Sequence, residues 1–257
     1  MINFENIHKV FNSGTPDETV LFDGFNLTVE NGEFISIVGS NGSGKTTLLN
    51  ILCGTIPVES GKVTIDSRDI TRLSEFRRAK YLGRVFQDPQ KGTCSELTIL
   101  ENMALADNKN RRFGLTPAIN KKRVDYYRGL LGQCRMGLED RLNVPVGTLS
   151  GGQRQALALI ISNMANIKIL ILDEHTAALD PKSSELVMEL TDRFIKEHSI
   201  TTLMVTHNLR HAVQYGSRLI MMDKGAIVFD QSGSAKKEAT VDSLLHIFNR
   251  ISIECGN

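Results

Sequence analysis

The run FISIVGSNGSGKTTLLNILC, residues 34–53, decides the fold. Its opening FISIV is a short apolar strand that stops at a glycine loop, and residues 46–53 resume with apolar positions at helical spacing. The loop itself, Gly39, Ser40, Asn41, Gly42, Ser43, Gly44, Lys45, Thr46 and Thr47, fits the pattern G-x-x-x-x-G-K-[ST]. Its glycines let consecutive backbone N–H groups turn inward onto phosphate oxygens, while Lys45 adds a point charge and Thr46 a hydroxyl suited to Mg²⁺. Strand, phosphate loop and helix in that order imply a nucleotide site in an α/β sheet. They do not say what the nucleotide drives.

Outward from this run, residues 149–153 read LSGGQ. Gly151 and Gly152 permit close backbone approach to phosphate, Ser150 offers a hydroxyl, and residues 153–161 have a helical pattern whose N-terminus falls at the glycines, a geometry that favours an anion. Residues 169–172 (ILIL), 203–205 and 218–222 read as buried parallel strands, with helices at 184–198 and 209–215 between them, which predicts a doubly wound α/β core. Asp173 follows the first of these strands at its carboxyl end, where open sheets place ligands, and Glu174 is next. Two adjacent carboxylates in a sheet mouth are costly without a cation, so they point to a metal and a water rather than to a capped strand end. His207 follows the second strand, where its side chain would reach the terminal phosphate of a bound nucleotide. His207 and His211 stand four residues apart, but HNLRH lacks the glutamate of a metalloprotease helix and shows no third zinc ligand. Gln87 stands between Val85-Phe86 and the turn Asp88-Pro89, where it opens a long helical stretch.

The chain has 257 residues, 30 Lys plus Arg against 29 Asp plus Glu, and a net charge of +1. That balance argues against a dedicated nucleic-acid binder. Basic clusters at Arg111, Arg112 and residues 121–123 read either as a solvated face or as a contact with anionic lipid. Cys53, Cys94, Cys134 and Cys255 show no C-x-x-C spacing, so reduced structural thiols in a cytosolic protein are expected. No leader-like N-terminus is visible, and no window reaches the roughly 18 uninterrupted apolar residues of a membrane span. Residues 1–33 alternate apolar and polar positions around a turn-rich centre, the pattern of antiparallel strands. Residues 88–148 form a largely helical insertion, with one helix over 120–131. Residues 34–87 and 149–230 then make the nucleotide core, and the tail 231–257 carries amphipathic spacing at 241–251.

The phosphate loop and LSGGQ together resemble the ATP-binding cassette (ABC) family, over essentially the whole chain from Phe11 to about Asp230. The resemblance implies an α/β P-loop NTPase (RecA-like) core with an N-terminal antiparallel β-subdomain and a helical subdomain insertion. It implies ATP hydrolysis with ATP and Mg²⁺ as cofactors. Glu174 would polarise the attacking water, Lys45 would hold phosphate, and His207 would be the switch histidine. Gln87 would be the Q-loop glutamine, joining Thr46 and Asp173 at Mg²⁺. Residues 178–180 match the D-loop, with Asp180 at the dimer interface. Phe11 would stack on adenine, where family members commonly place Tyr. Ser150, Gly151, Gly152 and Gln153 of one chain would close on the phosphate loop of a second, in a homodimer or a heterodimer with a like ATPase.

With one cassette and no membrane span, the resemblance implies an integral membrane permease as partner, indirectly a substrate-binding lipoprotein, and no nucleic acid. The chain would then be cytoplasmic and peripheral on the inner face of the cell membrane. Most such cassettes have proline after the glutamate, whereas this chain reads LDEHTAALDP, with His175. This form, with VFQDPQKGT and LMVTHNLRHAVQYGSRLIMM, is similar to bacterial uptake ATPases assigned to tryptophan or tyrosine, which implies import of a small solute and an aromatic amino acid as one cargo. An exporter or lipid-moving subunit and a soluble non-transport ATPase stand as the other readings. His175 reads either as a tolerated loop residue or as a titratable neighbour of Glu174.

Overall fold

Four of the first six residues of the opening run, Phe34, Ile35, Ile37 and Val38, carry bulky or β-branched apolar side chains, and the strand they form, β3 (Phe34–Gly39), is buried along its whole length. A computed structural model describes residues 1–109, 117–164 and 167–254, with side chains described up to Arg250. Arg111, Arg112 and Cys255 lie outside the described residues. The chain divides into two compact units, Met1–Ala79 with Ser199–Asn257, and Lys80–His198.

In the first unit, β1 (Ile2–Phe11) and β2 (Thr19–Val29) pair antiparallel, with Ile2 opposite Val29, Phe4 opposite Leu27 and Ile7 opposite Phe25. The alternation predicted from sequence is visible as one buried face, on which the Phe22 and Phe25 rings lie 4.8 Å apart. This sheet extends beyond the expected 1–33 boundary. β4 (Ser60–Ile65) pairs antiparallel with β1, and β5 (Arg68–Asp69) follows it, giving the order β2-β1-β4-β5. Residues 60–62 of this strand are exposed and polar, so in the sequence only Val63 to Ile65 carry a strand signal. Asp66 and Ser67, both with positive φ, make the tight turn between β4 and β5.

The same unit holds β3 between two parallel neighbours, β8 (Thr201–Val205) and β9 (Arg218–Asp223), with β10 (Ala226–Ser232) antiparallel on β9. α1 (Lys45–Cys53) follows β3, and α7 (Leu209–Gln214) follows β8. The tail forms α8 (Gly233–Glu238) and α9 (Val241–Glu254). Leu244, Ile247 and Phe248 of α9 pack on Val38, Ala212, Leu219 and Met221, so the predicted amphipathic helix covers this face of the core.

In the second unit, β6 (Leu82–Val85) and β7 (Ile169–Asp173) run parallel, with Leu82 opposite Ile169 and Val85 opposite Leu172. The helical residues form α3 (Ile99–Asp107), α4 (Val124–Gly132), α5 (Gly151–Asn163) and α6 (Pro181–His198). The helix expected over 120–131 is a correction: Asn120 accepts from the Lys122 amide and caps a 3₁₀ turn over Lys121–Arg123, and α4 begins only at Val124. Arg123 is no free surface charge, since it pairs with Asp107 at 2.7 Å and lies 4.0 Å from the Tyr126 ring centroid. α6 starts three residues before the expected Ser184, at Pro181, which suits a first helical position.

Cys53 and Cys134 are buried and Cys94 is exposed. Burial pushes the Cys134 thiol up to about 12, with Glu139 adding to the effect and Arg193 opposing it, which suits a packing thiol. Among the described residues no helix is long and apolar enough to cross a membrane.

Candidate functional site

The phosphate loop is shaped by what its glycines exclude. At Gly39 a Cβ would lie 2.1 Å from the Met222 carbonyl oxygen, and at Gly44, with φ 101, it would lie 2.9 Å from the Phe22 ring. Gly44 is the N-cap of α1 and supplies no side-chain acceptor, so side chains leave the first-turn amides of this helix uncapped. Lys45 is only 5 % exposed and curls back over the loop, donating to the Gly39 carbonyl at 2.9 Å and the Ser40 carbonyl at 2.7 Å. Ser43 is buried; Ser40, Asn41, Gly42 and Thr46 are exposed and Thr47 is half-buried. A cationic cradle at a helix N-terminus without a side-chain cap suits an anion of the size of a phosphate group.

Two supports of this loop were not legible as motifs. The Ser40 hydroxyl donates to Asp223 at 2.7 Å, and the Gly225 amide donates to the Ser43 carbonyl at 3.1 Å. The turn between β9 and β10 thus braces the loop from behind. The only sequence signal was the turn-forming Asp223-Lys224-Gly225 itself.

His207, at the end of β8, is exposed, whereas His211 is buried edge-on against Tyr215 at 5.9 Å. Asn208 between them caps α7, accepting from the Arg210 and His211 amides. Phe11 closes β1, half-buried, with Lys9 Nζ 5.2 Å from its ring centroid. Among the described residues no group of three or more His, Cys, Asp or Glu side chains is placed to hold a metal ion.

The second unit carries the other predicted residues. Gln87 is exposed in the turn after β6, and the neighbouring Asp88 caps a 3₁₀ turn. Gln155 of α5, fully buried, donates to the Phe86 carbonyl at 2.9 Å, one residue before Gln87. Ser150 is the N-cap of α5 in a capping box with Gln153: each side chain accepts from the other's backbone amide. Gln153 also donates to the Met136 carbonyl at 3.1 Å, so its amide is committed to holding the turn. Gly151 is exposed; at Gly152 a Cβ would lie 2.8 Å from the Ser183 side chain. The turn therefore places the Ser150 hydroxyl and the exposed Gly151 at the start of a 13-residue helix.

Asp173 ends β7 half-buried and accepts from Arg84 Nη2 at 2.6 Å. Glu174 has φ 50, a left-handed backbone in which a non-glycine residue is strained. His175 is 2 % exposed, with Nε2 3.5 Å from the Thr191 hydroxyl of α6. The chain therefore turns sharply at Glu174 and anchors the following ring under α6. Asp180 accepts from the Ser183 amide at 3.0 Å as it caps α6, and hydrogen bonding from Ser183 holds its carboxyl below the usual range. Arg84, like Asp223 and Gln155, was missed in the sequence; the signal was an arginine inside a strand whose other three residues are buried.

The sequence profile of the family described as "ABC transporter" matches residues 22–177. The tyrosine transport ATP-binding protein of Clostridioides difficile is 47% identical over 96% of this chain and 98% of its own length. The phosphonates import ATP-binding protein PhnC of Lactococcus lactis is 30% identical over 97% of this chain and 99% of its own. Among solved structures, a dimeric ATP-binding cassette in a post-hydrolysis state bound to ADP and Pi superposes with a TM-score of 0.77 at 29% identity, over 90% of this chain and 98% of that one.

Proposed function

Since the chain belongs to the ABC transporter family and is the ATP-hydrolysing subunit of a transporter, we propose that it energises import of an aromatic amino acid, tyrosine first, through a separate membrane permease. The observation that carries the cargo is the 47% identity, nearly end to end, with a protein named for tyrosine transport. The permease would hold the chain at the inner face of the cell membrane, and a binding lipoprotein would deliver the solute to it.

In this reading the Lys45 ammonium and the N-terminus of α1, which no side chain caps, bind the β- and γ-phosphates. Phe11 stacks on the adenine, and Ser150, Gly151 and Gly152 of a partner chain close on the γ-phosphate, with Gln153 holding their turn. Glu174, presented by its left-handed backbone, accepts a proton from the attacking water, and His207 donates a hydrogen bond to the γ-phosphate. Asp180 lies at the interface of the two chains. Thr46, Gln87 and Asp173 offer a hydroxyl, an amide oxygen and a carboxylate, hard oxygen donors that fit Mg²⁺. When bound, the ion neutralises charge developing on the phosphates.

The test replaces Glu174 with Gln and purifies the tagged chain from detergent-solubilised native cells in ATP. Turnover should fall by about a thousandfold while nucleotide binding persists. A polytopic permease should co-purify with it, and loss of the chain should abolish cellular uptake of labelled tyrosine. Normal tyrosine uptake without the chain would remove the cargo assignment, and normal turnover in Glu174→Gln would remove the base.

A further inference from the structure

Arg84 is the one charged residue of β6, and its guanidinium reaches across to the end of β7. Nη2 donates to Asp173 Oδ2 at 2.6 Å, with the two side chains 15% and 14% exposed. The guanidinium also lies 4.7 Å from the ring centroid of Phe86. The backbone on either side is tied to α5: the Arg84 carbonyl accepts from Ser162 Oγ at 3.1 Å, and the Phe86 carbonyl from Gln155 Nε2 at 2.9 Å. Strand, ring and helix therefore fix the arginine in one geometry against the carboxylate. Little side-chain freedom remains to be lost when the pair forms, which separates it from an ordinary surface ion pair.

We propose that Arg84 is a positioning residue that weakens the hold of Asp173 on Mg²⁺, so that the ion is retained only together with nucleotide phosphates. It rests on the magnesium role proposed above for Asp173. A guanidinium at hydrogen-bond distance cancels much of the carboxylate's attraction for a second cation and occupies one of its two oxygens. Without nucleotide, the half-buried carboxylate keeps a compensating charge, and a divalent ion entering alone meets the repulsion of Arg84. With nucleotide, the phosphates supply the missing negative charge, and the ion is held by both.

The test is a Mg²⁺ titration of the binding of a fluorescent, non-hydrolysable ATP analogue, read as the Mg²⁺ concentration at half-maximal binding. Arg84→Met should lower that midpoint by about three- to tenfold, because a repulsive charge has gone. Arg84→Lys, which keeps the charge, should stay near wild type. Arg84→Gln keeps an N–H donor without charge and should behave as Met, which preserves the test if Met impairs folding. Asp173→Asn should raise the midpoint, and adding Arg84→Met to it should bring it down again, because the guanidinium that the Asn no longer compensates has gone. An unchanged or raised midpoint in Arg84→Met and Arg84→Gln, with Asp173→Asn still raised, overturns the role of Arg84 alone. A wild-type midpoint in Asp173→Asn overturns the magnesium role and the inference with it.

Discussion

Gly225 shows how one residue far from the opening run governs the phosphate loop. Its φ is +78, and an added Cβ would lie 1.6 Å from the Leu21 carbonyl oxygen, a backbone atom that cannot swing aside. Its amide meanwhile holds the Ser43 carbonyl. Gly42, with nearly the same φ of +79, has nothing within 4 Å of its Cβ position. Comparing the two separates backbone strain from collision. Gly42→Ala should cost about 1 kcal/mol through strain alone, while Gly225→Ala should cost about 2–4 kcal/mol because the turn between β9 and β10 must move away from Leu21 of β2. Urea unfolding would measure both, and equal losses at the two positions would refute the collision with Leu21.

At the scale of elements, the C-terminus of α1 depends on a residue from another helix. α1 has no basic residue in its last turn. Arg78, at the end of α2 (Glu75–Arg78), supplies the charge instead, donating to the carbonyls of Ile51 at 2.6 Å and Leu52 at 3.0 Å. Its remaining nitrogens reach the Leu73 and Thr71 carbonyls at 2.8 Å. Truncation would take a charged donor from four carbonyls, so Arg78→Met should lose about 2–4 kcal/mol, with Arg78→Lys recovering only part because one ammonium cannot span the set. A denaturation midpoint equal to wild type in Arg78→Met would contradict this. Such contacts explain why elements differed in legibility. β3 and β7 were readable because burial on both faces writes a continuous apolar run. β10 was not, since no residue of its seven is fully buried, and β6 was not, since Gly83 and Arg84 interrupt its apolar character. The site followed the same division. Loop glycines and strand-end carboxylates are local in sequence, whereas Arg84 with Asp173, and Ser40 with Asp223, join positions that only the fold brings together.

At the scale of the molecule, the phosphate loop belongs to the first unit and the LSGGQ turn to the second. The two helix ends differ in kind: α1 begins at a glycine with no side-chain cap, whereas α5 begins in a closed capping box. The first end has no side-chain acceptor of its own, which suits an anionic ligand; the second already has its turn fixed, with Gly151 exposed at its first helical position. Cassettes of this family dimerise. If each site takes its phosphate loop from one chain and its LSGGQ turn from the other, two differently damaged chains should rescue one another. Lys45→Ala removes the cradle's charge. Gly151→Asp is the matching lesion: Gly151 is exposed with only Leu179 Cδ2, at 3.4 Å, near its Cβ position. A carboxylate in the first turn of α5 favours the helix, so folding is spared while an incoming phosphate is repelled. Each variant alone should be inactive. Mixed in equal amounts and allowed to exchange, half the dimers carry both chains, and each of these has one intact site beside one doubly damaged one, so ATPase activity should return to about a quarter of wild type. Were each site complete within a single chain, every site in the mixture would carry one lesion, and no activity would return.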